Sequence, residues 1–431
     1  MESLTELYKI GRGPSSSHTI GPFRATKWFL ENFPNTRRMD VTLYGSLALT
    51  GKGHQTDVSI LEAVDTFNKS NVFDSKITTN VKFDYKTNCD FPNTMDIVGY
   101  DKNSKLIKKV TFKSIGGGSI EIVDYPSPVD SNVYPQKNFQ EIKEWCNKNN
   151  KTLIDFVKNF DPKGYEYLKE VWEMMKASVN EGLTNKTEFN FEGLRFKRKT
   201  FIIKKNLTEK NTPYDKLCKT FPNLYKKDSA FNAILYGYAV AEINSLHGRL
   251  VTAPTLGSAG IIPGILYYAH KCLNVPDEKI IECLAIAGVI GNVFKTNGSI
   301  AGATGGCQAE VGVAVSMGAA AFNYLINGHD IDCIEYAAII GMEHHLGLTC
   351  DPVGGAVIAP CIERNGCGAM RAISSATHAI LVGGSKNAIF TLDDEVEVEL
   401  KTGKDLKVAY RETSKGGLAK EYRMKFKTRK R

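Results

Sequence analysis

Long apolar runs rich in alanine and glycine fill the chain from about Ser229 onward. Four of these runs have helical length and few strand signals: AILYGYAVAEINSL, ECLAIAGVIGNVF, EVGVAVSMGAAAFNYLI and IEYAAIIGMEHHLGL. Small side chains allow helix backbones to approach one another closely. The pattern predicts an all-α domain over residues 229–431, whose last 40 residues form a helix or short strands followed by an extended tail.

The first 125 residues have a different pattern, in which strand-like runs alternate with helices. The segments VTLYGSLAL (41–49) and KLIKKVTFKSI (105–115) are typical of strands, whereas residues 20–32 have helical spacing after a Gly-Pro start. An α+β domain is therefore predicted over residues 1–125. Residues 126–228 are rich in Lys, Asn, Glu and Phe, and we interpret them as a helical linker region.

Charge and hydropathy argue against several classes of protein. The formal net charge is +8, and much of it lies in KRKTFIIKK (197–205) and KFKTRKR (425–431). No segment resembles a base-reading module and a basic terminus is typically solvated, so no nucleic-acid partner is expected. The N-terminal MESLTELYK lacks the apolar core of a signal peptide, and the uncharged run 311–329 is only weakly apolar. We therefore expect a cytoplasmic protein with no membrane span.

Three of the ten cysteines lie in glycine- and proline-rich sequence, whereas most of the others lie singly in apolar or mixed stretches. Cys307 comes immediately before a predicted helix, where the helix dipole stabilises a thiolate. Cys350 and Cys361 are separated by a segment in which Pro352 and Pro360 interrupt any helix. Reduced thiols in such loops are either ligands of a soft metal or an iron–sulfur cluster, or simply buried cysteines in tight turns. Composition alone leaves both interpretations open.

The number of thiols bears on the chemistry. Four cysteines close a [4Fe–4S] cluster, whereas three protein ligands can leave one iron open. An open iron is a Lewis acid that binds a substrate hydroxyl group and makes it a better leaving group. Three cysteines therefore favour dehydration over electron transfer.

A polar stretch near the start of the chain, GPSSSHTIGP (13–22), has two interpretations. One is a polar linker. The other is a cradle for a small anion, because hydroxyl groups, backbone N–H groups after Pro14 and an imidazole at a helix start all suit a negative group.

Seven blocks of the chain together resemble the iron–sulfur-dependent L-serine dehydratases (L-serine ammonia-lyases), in a single-chain form. They occur in family order from about residue 11 to residue 419: GPSSSHTIGP, YGSLALTGKGHQTD, SIGGGSIE, GRLVTAPTLGSAGIIPGILYY, GGCQAEVG, EHHLGLTCDPVGGAVIAPCIERN and YRETSKGGLA. The resemblance implies an α+β N-terminal domain, similar to an allosteric substrate-binding module, followed by an all-α catalytic domain with a [4Fe–4S] cluster. It implies that L-serine is the small-molecule substrate and is converted to pyruvate and ammonia.

The same resemblance assigns roles to individual residues. It implies that Cys307, Cys350 and Cys361 are the cluster ligands. His18 and His54 are expected to face the cluster from the first domain, and one of them to remove the Cα proton, because histidine titrates near neutral pH. The remaining candidates are Ser16, Ser17 and Thr19 in the catalytic anion cradle, and Asn244, Thr252, Thr255 and Arg364 in the substrate pocket.

The chain departs from this family at its C-terminus. Members can end in a cysteine that fills the open iron position, but KEYRMKFKTRKR contains no cysteine. The open iron would then be held by water or by another group. Cys367 follows Cys361 by six residues, and we interpret it as a packing residue.

Alternatives remain open at this point. A pyridoxal-phosphate dehydratase performs the same net reaction, but no lysine stands in the expected position before GGGS (116–119), so pyridoxal phosphate is not expected. A related lyase acting on threonine or cysteine is a second alternative, and a non-catalytic amino-acid-binding regulatory protein is a third. The small-residue helices also suggest a homodimer.

Overall fold

Strands are concentrated near the start of the computed structural model, which describes residues 1–70, 76–126, 132–191 and 194–429. The strands are β1 (Ile10–Arg12), β2 (Arg38–Leu43), β3 (Thr78–Phe83), β4 (Thr94–Tyr100), β5 (Leu106–Gly116), β6 (Ser119–Ile122), β7 (Phe189–Phe191), β8 (Leu194–Phe196) and β9 (Arg249–Val251). The helices are α1 (Leu4–Leu7), α2 (Ile20–Asn32), α3 (Gly45–Leu49), α4 (Thr56–Ser70), α5 (Phe139–Asn149), α6 (Leu153–Phe160), α7 (Pro162–Thr184), α8 (Lys199–Thr208), α9 (Pro213–Thr220), α10 (Asn232–Ser245), α11 (Ile261–Cys272), α12 (Asp277–Asn297), α13 (Gly302–Gly305), α14 (Val311–Asn327), α15 (Ile331–Glu343), α16 (Cys361–Val382), α17 (Leu392–Asp405) and α18 (Gly417–Arg429).

Five strands form one sheet in the order β3–β2–β4–β5–β6. β2 and β3 run parallel, and the other neighbours are antiparallel. The helices α2 and α4 cover one face, where Phe29 and Ile60 pack with Ile97 and Phe112 of the sheet. Alternate residues of β2 are buried, as expected for a sheet with one covered face. The predicted α+β character of the N-terminal region is confirmed.

The helical region is organised around α14, which packs against α11, α12, α15 and α16. Every residue of α14 from Val311 to Tyr324 is buried. Small residues make this possible: a Cβ atom on Gly341 of α15 would lie 3.0 Å from the Cα atom of Ser316 in α14. The predicted helical architecture of the C-terminal region, with backbones in close approach, is confirmed.

The beginning of the chain packs with the helices rather than with the sheet. Leu4 and Tyr8 belong to the same buried core as residues of α6, α7 and α12. β1 pairs with β9 in an antiparallel two-stranded sheet. The helices α6 and α7, which we interpreted as part of a linker, therefore share this core with residues from both ends of the chain. The division at residues 125 and 228 stays a prediction.

The strand prediction for residues 41–49 is wrong in its second half. β2 ends at Leu43, and α3 begins at Gly45. Gly45 has a φ of +52° and lies against the carbonyl group of Pro92, a conformation that glycine adopts readily and that ends the strand. The helix predicted over residues 20–32 and the strand predicted over 105–115 are confirmed by α2 and β5.

The extended tail predicted at the C-terminus is also wrong, because two helices occupy this part of the chain. α17 begins with a capping box between Thr391 and Asp394. α18 continues to Arg429, and its start is fixed by Asp351, whose carboxylate accepts a hydrogen bond from the N–H group of Leu418. The last two residues of the basic terminus lie outside the described residues.

Among the described helices, α12 is long and apolar enough to cross a membrane by length and composition alone. However, 72% of its apolar window is buried inside the protein. The residues Gly302–Ala309 and Val311–Asn327 pass the same test only as a pair bent by 43°. The buried helix predicted within residues 311–329 is confirmed by α14. The cytoplasmic location and the homodimer stay predictions.

We predict that Gly341→Val lowers the free energy of unfolding by about 1–3 kcal/mol, because the new side chain must displace the backbone of α14. Urea denaturation followed by circular dichroism measures this change. Thr377→Val is the control, since Thr377 is exposed on α16, and its effect should stay within about 0.5 kcal/mol. Equal effects of the two substitutions would contradict the close contact.

Candidate active site

Three thiols from separate elements converge on one pocket. Cys307 lies in a 3₁₀ turn (Gly306–Ala309) before α14, Cys350 lies in the loop between α15 and α16, and Cys361 is the first residue of α16. The backbone N–H group of Cys350 donates to the carbonyl oxygen of Tyr410 at 2.8 Å, which fixes its loop. The structure thus brings together the three cysteines that the sequence singled out.

Arg364 supplies positive charge to the thiols. It lies one turn after Cys361 on α16, and its Nη1 donates to the carbonyl oxygen of Thr349 at 2.6 Å. Burial lowers the pKa of the guanidinium group, but the charges that Cys307, Cys361 and Cys350 carry when deprotonated outweigh burial and raise it. A hydrogen bond from Cys350 lowers the pKa of the Cys307 thiol. The same hydrogen bond and burial raise the pKa of Cys350, and burial and the charge of Cys307 raise the pKa of Cys361. The arrangement therefore favours a thiolate at Cys307, and a bound metal would favour thiolates at the other two, because metal ligation requires thiolates.

The donor set fits a soft metal or an iron–sulfur cluster. Thiolates are the ligands that iron–sulfur clusters require, and the three cysteines line the pocket together with Val311 and Val357. Ligand atoms of Cys307, Cys350 and Glu310 lie within 4.8 Å of one another. The apolar walls limit access of water to the sulfur atoms.

His54 is the histidine that lines the pocket. Its Nδ1 lies 3.0 Å from the carbonyl oxygen of Thr50, which can only accept a hydrogen bond, so Nδ1 carries the proton of the neutral ring. Nε2 is then unprotonated, and it lies 3.5 Å from Oε1 of Glu412. Burial lowers the pKa of His54 to about 4, so the ring is neutral near pH 7. His54 is therefore equipped to accept a proton at Nε2.

His18 lies behind His54, and the centroids of the two stacked rings are 4.4 Å apart. Its Nε2 lies 2.9 Å from Oγ1 of Thr50, and its Nδ1 lies 2.9 Å from Oγ of Ser17. Burial, followed by the neighbouring His54, lowers the pKa of His18 well below its usual value. Both ring nitrogens are engaged by hydroxyl groups, so His18 supports the ring of His54.

The N-terminal polar loop reaches the pocket through Ser15. The hydroxyl residues that we selected lie beside it. Ser17 contacts His18, as described above, and Thr19 donates from Oγ1 to the carbonyl oxygen of Ser15 at 2.7 Å. Ser16 is buried, with 2% of its surface exposed, and does not line the pocket. Ser16, Ser17 and Thr19 therefore shape the loop that holds His18.

The two threonines of the APT block have different surroundings. Thr255 donates from Oγ1 to Oε1 of Glu310 at 2.7 Å and so reaches the edge of the pocket. Thr252 accepts at Oγ1 a hydrogen bond from the backbone N–H group of Lys9 at 2.8 Å. Thr252 therefore fastens the start of the chain next to β9, outside the pocket.

Asn244 joins two loops of the site. Its Nδ2 donates to the carbonyl oxygen of Pro14 at 2.7 Å and to that of Leu256 at 2.9 Å. Pro14 belongs to the N-terminal polar loop, and Leu256 belongs to the loop that leads into α11. The amide N–H groups of Asn244 are thus committed to the protein backbone.

Two buried carboxylates, Glu310 and Glu412, also line the pocket, and the sequence analysis missed both. Burial raises the pKa of Glu310. Burial, the charge of Glu310 and the charge of Cys307 raise the pKa of Glu412 well above its usual value. Glu310 had a visible signal, since no other Asp, Glu, Lys or Arg occurs between Lys295 and Asp330. Glu412 lies in the block YRETSKGGLA that resembles the family, but the charged and polar residues around it did not single it out.

Comparison with known proteins adds independent information. The family model of the serine dehydratase alpha chain matches residues 98–419, and that of the serine dehydratase beta chain matches residues 3–82. The chain is 37% identical to an L-serine dehydratase of Haemophilus influenzae, over 97% of this chain and 99% of that protein.

Other relatives match to a similar extent. The chain is 35% identical to L-serine dehydratase 1 of Escherichia coli, over 97% of this chain and 99% of that protein. It is 34% identical to an L-serine dehydratase of Streptomyces coelicolor, over 97% of this chain and 98% of that protein. Because the alpha and beta models match successive parts of one polypeptide and the relatives align over nearly all of it, the chain belongs to the serine dehydratase family, in its single-chain form.

Proposed function

We propose that this chain is an L-serine ammonia-lyase that converts L-serine to pyruvate and ammonia, with a [4Fe–4S] cluster held by Cys307, Cys350 and Cys361. The observation that carries the proposal is the meeting of three thiols with His54, whose Nδ1 lies 3.0 Å from the carbonyl oxygen of Thr50, in one buried pocket. Three thiols match a cluster in which one iron lacks a protein thiolate. The names of the relatives support L-serine as the substrate.

When bound, such a cluster supplies a Lewis acid that promotes departure of the β-hydroxyl group. The protein contributes the base. Neutral His54 accepts the Cα proton at Nε2, the electron pair of the C–H bond forms a double bond between Cα and Cβ, and the hydroxyl group leaves. The resulting aminoacrylate takes up a proton at Cβ to become an imine, and water hydrolyses the imine to pyruvate and ammonia.

The neighbours of His54 keep it in the reactive tautomer. The carbonyl oxygen of Thr50 holds the proton on Nδ1, and the stacked ring of His18 limits rotation of the imidazole. His54 is only 1% exposed, so bulk water does not compete for Nε2. A base held in one orientation at the pocket wall is suited to removing a proton from one carbon of a bound amino acid.

We predict that Cys361→Ser loses the cluster, whereas Cys367→Ser keeps it. Both cysteines belong to α16, but Cys361 lines the pocket and Cys367 is exposed. Anaerobically purified wild-type protein should contain about four irons and four sulfides per chain. Iron, sulfide and visible absorption should fall to about a quarter or less in Cys361→Ser, and normal iron content there would contradict the ligand assignment.

We predict that His54→Asn lowers kcat by about 10²–10⁴-fold, because general-base catalysis typically contributes that factor. His18→Asn should lower kcat by a smaller factor, since His18 acts through His54. His378→Asn on the exposed side of α16 is the control and should leave kcat unchanged. Pyruvate release is measured together with iron content, which should be equal in all variants. A larger loss in His18→Asn than in His54→Asn would reverse the assignment.

A further inference from the structure

Glu412 is a buried carboxylate whose hydrogen-bonding capacity is largely unused. Only 3% of its surface is exposed. Oε1 has three long contacts, to Oγ of Ser15 at 3.5 Å, to Nε2 of His54 at 3.5 Å and to Nδ1 of His18 at 3.6 Å. Oε2 has no hydrogen-bond partner among the described residues. Such a carboxylate has lost its hydrogen bonds to water, and the protein does not replace all of them. This favours binding of a ligand that donates hydrogen bonds.

A glycine keeps the position beside Oε2 free of a side chain. A Cβ atom on Gly302 would lie 3.5 Å from Oε2 of Glu412 and 2.7 Å from Oε2 of Glu310. The two carboxylates thus approach the same side-chain-free position. No ion pair joins a lysine or an arginine to either of them in the part of the chain that the structure describes. Arg364, a cation near this pocket, interacts with the thiols.

The two carboxylates come close to each other at Gly302, but they have different ligand-type neighbours. Glu310 already accepts a hydrogen bond from Thr255 and lies within 4.8 Å of the ligand atoms of Cys307 and Cys350. Glu412 instead lies within 4.8 Å of ring nitrogens of His18 and His54. A cationic ligand on Glu412 would therefore lie next to the proposed base, whereas one on Glu310 would lie among the thiols.

The backbone fixes Glu412 in this place. Its N–H group donates to the carbonyl oxygen of Cys350 at 2.9 Å, and its carbonyl oxygen accepts from Oγ of Ser46 at 2.8 Å. Its φ is +55°, a conformation that costs energy for a residue with a side chain and persists where the surroundings impose it. The backbone of Glu412 is therefore held between the loop of Cys350 and α3, and this fixes the point from which its side chain enters the pocket.

We propose that Glu412 binds the α-ammonium group of the substrate and thereby presents the Cα–H bond to Nε2 of His54. An ammonium group has three donors and a positive charge, which match an unpaired buried carboxylate with long contacts. The Cα atom is bonded directly to this nitrogen, so anchoring the ammonium group at Glu412 places the acidic proton beside His54. This inference rests on the proposed function, and it makes Glu412 the residue that selects α-amino acids over hydroxy acids.

The test measures the affinities of two unreactive ligands for the iron-loaded protein by titration calorimetry. L-Alanine keeps the ammonium and carboxylate groups of serine, whereas 3-hydroxypropionate keeps the hydroxyl and carboxylate groups. Glu412→Gln should weaken the binding of L-alanine by about 10- to 100-fold, the range for loss of a charged hydrogen bond. It should change the affinity for 3-hydroxypropionate by no more than about twofold. Glu412→Asp, which keeps the charge, should weaken the binding of L-alanine less than Glu412→Gln does.

Glu395→Gln is the matched control. Glu395 is also buried and also has an oxygen without a partner, but it lies on α17 and does not line the pocket. It should change neither affinity, and iron and sulfide content should be equal in all variants. Equal weakening of both ligands by Glu412→Gln, or selective loss of L-alanine binding in Glu310→Gln alone, would overturn the proposal.

The same samples separate this proposal from the proposed function. If the wild-type protein releases pyruvate from L-serine and Glu412→Gln binds L-alanine normally, the role of Glu412 is refuted and the lyase activity stands. If the wild-type protein contains the cluster but neither releases pyruvate nor binds L-alanine, the proposed function itself fails.

Discussion

The antiparallel pairing of β1 with β9 positions the N-terminal half of the active site. Its register aligns Ile10 with Val251, and the next loop is tied down by the hydrogen bond from the N–H group of Gly13 to the carbonyl oxygen of Gly248 at 2.9 Å. Asn244 adds its hydrogen bond to Pro14. The pairing therefore sets where Ser15 and the stacked histidines meet the thiols.

The site concentrates negative groups in a buried volume. Three thiols and two carboxylates line one pocket, and the three thiols raise the pKa of Arg364. Burial disfavours charge on every one of these groups. The carboxylates differ in their neighbours: Glu310 lies within 4.8 Å of the ligand atoms of Cys307 and Cys350, and Glu412 within 4.8 Å of ring nitrogens of His18 and His54. In the proposed enzyme the thiols would hold the cluster and Glu412 the ammonium group of the substrate.

Periodicity and composition predicted the α+β character of the first region and the helices of the second, since small-residue helices such as α14 pack closely against other helices. The cysteines were found because glycine and proline surround them. Other features depend on long-range geometry. The serines at positions 15 to 17 are chemically identical, and only the backbone path decides that Ser15 lines the pocket. Thr252 looked like a pocket residue because it adjoins the APT block, but its hydroxyl bonds the backbone of Lys9.

The distribution of pocket residues along the chain limits when the site can exist during synthesis. Ser15 and Glu412 are in contact although 397 positions separate them. All three cysteines are translated before Glu412, so a nascent chain exposes its thiols without the segment that later closes over them. The contact between Ser15 and Glu412 forms only after residue 412 has left the ribosome. A chain truncated before residue 412 would lack this carboxylate and its contact with the N-terminal loop.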